Sequence, residues 1–283
     1  MKTAIWKYWM LLLLMAIPLP AITQELEEWN PGLKTYHSIK EASGVTSDSV
    51  AKLYLFASKD LDNVSAVCQF RNLVGLELGD MFDDKFPPCI GNLRKLVYLN
   101  LRNNKLTTLP AELINLKELQ VLNLYWNENL KYIKGLDALK KLQIIDLGGN
   151  PMLDLKEVCL LLSKLPNLKS VSLTFNRISN LPPEIGLLTQ IEELDLGNNL
   201  LKSVPKELAG MKNLKRIVLT NNTFTSVPEV FHQLPSLKEI DLANTYEEDL
   251  DTSLAGKYGH NNIPAEHSAS FSKANKRVKL VTK

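Results

Sequence analysis

The chain is poor in the residues that build reaction centres. Its 283 residues include four histidines and three cysteines. His37, His232, His260 and His267 do not stand at metal-ligand spacing from a cysteine or from one another, so no metal is expected. The nucleophile elbow G-x-S-x-G, the phosphate-binding P-loop and the paired-cysteine motif are all missing. Asp and Glu are numerous but fall at regular, water-facing positions. The chain therefore reads as non-catalytic and without cofactors.

Charge of one sign is lacking as well. Lys and Arg number 33 against 31 Asp and Glu. Setting aside Lys2 and Lys7 leaves 31 against 31, which is neutral. A neutral chain lacks the basic footprint of a nucleic-acid binder.

Long apolar runs are missing too, with one exception, Trp9 to Ile17. Lys2 and Lys7 precede it, Pro18 and Pro20 break it, and Ala21 and Thr23 come after. That is the layout of a secretory signal peptide over residues 1–23. The run is short of the about 20 apolar residues that span a bilayer. An uncleaved signal anchor is the alternative. No cysteine comes just after the run, so a lipoprotein has no support. The implied location is extracellular or periplasmic, with no transmembrane segment after signal removal.

What the chain has in abundance is leucine at a fixed step. The stretch Ile191–Asn213 reads IEELDLGNNLLKSVPKELAGMKN, and its apolar frame begins again at Val50, Leu73, Leu96, Leu119, Leu142, Leu168, Leu214 and Leu237. Every step is 23 residues except Leu142 to Leu168, which is 26. About nine repeats thus cover residues 50–245. Within each, a short alternating run such as Glu193–Gly197 predicts a strand with one dry and one wet face. Equivalent strands must stack in parallel, and no single repeat can bury its own leucines.

The frame L-x-x-L-x-L-x-x-N-x-L resembles the leucine-rich repeat signature. The half-frame after it, LPAELINL at Leu109–Leu116, LPPEIGLL at Leu181–Leu188 and VPKELAGM at Val204–Met211, resembles the bacterial and Ras-associated variety. The resemblance covers about seven-tenths of the chain. It implies an α/β solenoid, a curved horseshoe with a parallel β-sheet on the concave face and short helices, 3-10 turns or loops on the convex face.

The frame asparagine recurs at Asn104, Asn127, Asn150, Asn176, Asn199 and Asn222. After each strand the chain turns inside a crowded interior. A buried amide can satisfy the freed backbone groups, so these six read as a structural ladder. Loss of one should cost about 1–3 kcal/mol. The repeat at 119–141 lacks the L-P pair. The one at 142–167 carries three extra residues, and its outer half, Asp154–Leu165, looks helical with Asp154 as N-cap.

Residues 24–49 do not fit the frame. Tyr36, Ile39 and Ala42 at helical spacing, with Ser38 and Glu41 in capping-box order, predict a short capping helix. Cys68 and Cys89 occupy similar places in the first two repeats. Coils stack about 5 Å apart, so two readings stand: a disulfide or two buried thiols. Cys159 lies in an apolar helical pattern and reads as core. Residues 246–283 break the period and read as a C-terminal cap with a mobile basic tail.

The wet face of the strands is the surface for function. Its middle presents Tyr98, Asn100, Arg102, Val121, Asn123, Tyr125, Trp126, Ile144, Asp146, Ser172, Thr174 and Phe175. From these, Tyr98, Arg102, Val121, Tyr125, Trp126, Ile144, Asp146 and Phe175 are the candidate ligand-binding set, because clustered aromatics and arginine make interaction hot spots. The expected partner is a protein or peptide. The alternatives are cell-surface adhesion through a glycan, or service as the recognition subunit of a larger assembly.

Overall fold

A computed structural model describes residues 33–55, 59–81, 84, 86–243 and 279–281. Residues 1–23, expected to form a signal peptide, and most of residues 246–283 lie outside the described residues. The sheet and its coils belong to the unit Thr35–Lys283.

One parallel sheet runs through the chain in sequence order. Its strands are β1 (Thr35–Tyr36), β2 (Lys52–Tyr54), β3 (Gly75–Glu77), β4 (Tyr98–Asn100), β5 (Val121–Asn123), β6 (Ile144–Asp146), β7 (Ser170–Ser172), β8 (Glu193–Asp195), β9 (Arg216–Val218), β10 (Glu239–Asp241) and β11 (Lys279–Val281). From β2 to β10 each strand pairs one period on, as Leu122 does with Ile145 and Leu194 with Ile217. Alternation then sets the facing of each side chain. From β2 to β10 the middle residue of each strand points into the core, and the residues on either side point to the opposite face.

The core is the leucine frame. Leu101, Leu124, Leu147, Leu173, Leu196 and Leu219 are each no more than 1% exposed and belong to one continuous apolar cluster. Opposite the sheet, the coil closes through short 3-10 turns such as Ala111–Asn115, Pro183–Leu187 and Lys206–Gly210. Pro110, Pro182 and Pro205 stand immediately before them. Proline's fixed φ favours the turn, and its missing N–H is not required there. The long coil has α2 (Leu155–Leu162) instead. The Asp154 carboxylate accepts the Glu157 N–H at its N-cap, and Cys159 is buried beneath it.

The N-terminal end is closed by α1 (Ile39–Ala42). Ser38 caps the Glu41 N–H, and the Glu41 carboxylate reaches back to the His37 N–H. The reciprocal bond falls one residue earlier than a capping box requires. The frame does not predict β1: Thr35 pairs with Lys52, only 17 residues on.

Cys68 and Cys89 are joined by a disulfide with Cα atoms 5.8 Å apart. It links consecutive coils near the N-terminal end of the solenoid. A loop of this length is worth about 3 kcal/mol. The double substitution Cys68→Ser, Cys89→Ser should therefore lower the urea-unfolding free energy by about that amount. An unchanged midpoint would show that the link contributes nothing.

Candidate functional site

Backbone geometry at the strand exits organises the sheet face. The chain must turn sharply after three residues, and the N–H two places beyond the strand end needs an acceptor. Asn100 supplies it for Arg102, Asn123 for Tyr125, Asp146 for Gly148, Asp195 for Gly197 and Asp241 for Ala243, at 2.8–3.1 Å. These side chains form a second polar series running beside the asparagine ladder.

The residue that ends the turn takes the left-handed backbone region in coil after coil. Asp80, Asn103, Trp126, Gly149, Phe175, Asn198 and Asn221 all have positive φ. Five are residue types that tolerate it. Trp126 (φ 60°) and Phe175 (φ 55°) are not. A bulky L-residue there costs about 1–2 kcal/mol.

Those two strained aromatics meet. The ring centroids of Trp126 and Phe175 are 6.2 Å apart, and Tyr125 completes the cluster at 5.4 Å from Trp126 and 6.4 Å from Phe175. Trp126 and Phe175 come from coils that are not neighbours. The coil between them carries Gly148 and Gly149 at the equivalent positions. A Cβ on Gly148 would lie 2.8 Å from the Tyr125 ring, and one on Gly149 would lie 3.1 Å from the Trp126 backbone. The glycine pair opens the space that lets aromatics from both sides close over it. All three rings remain half-exposed. The Trp126 indole donates to the Glu128 carboxylate at 2.9 Å. Burial first, and the Asp146 charge second, hold the Tyr125 phenol far above its usual range, so it stays a hydroxyl donor.

The other candidates fare differently. Val121 and Ile144 are half-buried register partners on β5 and β6. Arg102 is tied to Asp80 at 3.2 Å and lies over Gly79, where a Cβ would meet it at 2.9 Å. Tyr98 and Asp146 do not present themselves to a ligand. Tyr98 is 1% exposed, with its phenol set among Glu77, Tyr54, Asn100 and Arg102. Asp146 is 3% exposed because its carboxylate turns back onto the Gly148 N–H. Burial pushes its pKa up to about 6, and the Gly148 and Ser172 bonds only partly oppose that. Asp195 is pushed up to about 6 by the same cause.

The six frame asparagines are buried, and their bonds run between coils. Asn127 donates to Leu124 O in its own coil and to Leu101 O in the preceding one, and its side-chain oxygen accepts the Leu106 N–H. Asn150 accepts the Asn127 N–H, and Asn199 accepts the Asn176 and Ile178 N–H groups. Towards the C-terminus the sheet face is polar and self-paired: Asn221 bonds Asn198, and Arg216 meets Glu239. Among the described residues no group of His, Cys, Asp and Glu could hold a metal ion, and no helix is long and apolar enough to cross a membrane.

An open parallel-sheet solenoid whose coils share one asparagine-pinned turn defines a repeat protein. The leucine-rich repeat pattern matches residues 94–152, 166–224 and 208–246. The chain is a leucine-rich repeat protein. No curated protein matches it. Among solved structures, an internalin (inlF) from Listeria monocytogenes is similar at 18% identity and a TM-score of 0.50, over 89% of this chain and 85% of that one. An internalin C2 from the same organism is 26% identical, with a TM-score of 0.47 over 60% of this chain and 71% of that one.

Proposed function

We propose that the chain is an exported, non-catalytic binding module that recognises a protein or peptide through Tyr125, Trp126 and Phe175. One observation carries this. Two coils place a large aromatic side chain where the backbone favours Asn, Asp or Gly, and the glycine pair between them lets the rings meet. Strain held at one surface spot motivates a functional reading. Half-exposed aromatics on a rigid sheet can bind with little loss of conformational freedom. Val121 and Ile144 extend the apolar area. Export is supported by the N-terminal sequence pattern and by the disulfide, a bond at home in oxidising compartments.

The test is capture of a partner by the purified protein from its producing environment, repeated with Trp126→Asn, Phe175→Asn. Asparagine suits the left-handed backbone, so the melting temperature should hold or rise. Binding should fall by about 100-fold or more, as for hot-spot truncation. A partner retained by the double variant would place the site elsewhere. Capture of polysaccharide instead of protein would favour the adhesive reading.

A further inference from the structure

We propose that a cavity beside the aromatic cluster receives an acidic side chain of the partner, flanked by an apolar residue. This deepens the protein-binding reading above and rests on it. The cavity has a volume of about 200 Å³ and lies between the long coil, at Asn150, Pro151 and Leu155, and the next coil, at Arg177, Ser179 and Asn180. The coil that carries three extra residues after Leu142 lines one side of it, and the outer half of that coil is α2.

Three features give the cavity its chemistry. First, Arg177 is the one charged residue lining it, and no Asp or Glu does so. Arg102 and Arg216 are paired with Asp80 and Glu239. Arg177 has no acidic partner among the described residues. Second, Asn176, also in the lining, is 5% exposed and makes one side-chain donation, to Leu147 O. Asn127, Asn150, Asn199 and Asn222 also reach a carbonyl of their own coil. Asn176 therefore keeps an amide hydrogen with no acceptor among the described residues. A guanidinium with no acidic neighbour, lining a polar hollow, matches a carboxylate.

Third, exposed apolar residues stand next to the lining residues, Met152 between Pro151 and Leu153 and Leu200 against Ile178. Met152 is 56% exposed and Leu200 46%, and the Leu200 N–H bonds Ile178 O. Phe175 of the aromatic cluster immediately precedes Asn176. A peptide with an acidic residue between apolar ones fits this pattern, and its apolar end would lead onto the rings.

The probes are two capped tripeptides, leucine–aspartate–leucine and its isostere leucine–asparagine–leucine, with acetate and inorganic phosphate at constant ionic strength. Binding is read by NMR shifts of the Arg177, Ser179 and Asn180 amides. The aspartate peptide should saturate with a Kd about tenfold below the asparagine peptide. Arg177 has φ 55°, a backbone that asparagine accepts, so Arg177→Asn should fold and erase the preference. This preference is read on the tripeptides alone, and the aromatic site by partner capture with Trp126→Asn, Phe175→Asn, which separates failure of this inference from failure of the aromatic site. Equal affinity for the two peptides overturns the proposal, and so does a preference that survives Arg177→Asn. Phosphate binding the same residues more tightly than the aspartate peptide also overturns it, assigning the cavity to a free anion.

Discussion

Asn150→Leu is expected to cost about 2–6 kcal/mol, a large part of a typical domain's stability. Asn150 is fully buried. It donates to Leu124 O, Leu147 O and Gly148 O and accepts the Asn127 N–H at 2.9 Å. A leucine of similar size would strand the Asn127 N–H and at least one carbonyl in the dry interior. Each such group costs about 1–3 kcal/mol. The figure exceeds the single-group cost of about 1–3 kcal/mol because each asparagine serves more than one coil. The damage should also spread, since coils are stabilised by their neighbours. Urea unfolding followed by circular dichroism should show a lower midpoint, while the exposed control Asn129→Leu should stay within about 0.5 kcal/mol of the parent. Equal effects at the two positions would remove the ladder from the account.

The second large effect has the opposite sign. Asp146→Asn should raise stability at pH 7.5 by about 1–3 kcal/mol. The Asp146 pKa is lifted from 3.8 to about 6 in the folded chain. A raised carboxylate pKa means that the folded state prefers the protonated form. Charge at this site is a burden above pH 6, and it is relieved as pH falls from about 6 towards 4. A shift of this size corresponds to about 3 kcal/mol. The backbone N–H would keep its acceptor, because Asn100 and Asn123 already do the same work on neighbouring strands. The gain over the parent should shrink to near zero by pH 4. Asp195→Asn should behave alike, from a comparable shift. A gain that is the same at pH 7.5 and pH 4 would show that titration is not its source.

The strand positions, the buried leucines and the asparagine ladder are legible in the sequence because all three repeat with the period. The features that are not legible depend on contacts between coils. Alternation places Asp146 on the wet face, but it does not show the carboxylate folding back to its own backbone. It places Tyr98 there too, although that ring lies among Tyr54, Glu77 and Asn100. The Gly148–Gly149 pair is visible, because Gly79 and Gly197 at the first position are each followed by a larger residue. Its use appears only when Tyr125, Trp126 and Phe175 are seen to converge over it. Arg177 gives no signal of its own, because it falls where the preceding coil has changed length.

The 23-residue step that holds from Leu168 onward makes this part of the chain a ruler. Each whole coil added or removed beyond Leu201 would shift the C-terminal end by about 4.8 Å relative to the aromatic rings, while the rings and the glycine pair beneath them kept their own neighbours. Reach and grip are thus written in different parts of the chain, and one can change in fixed increments without disturbing the other.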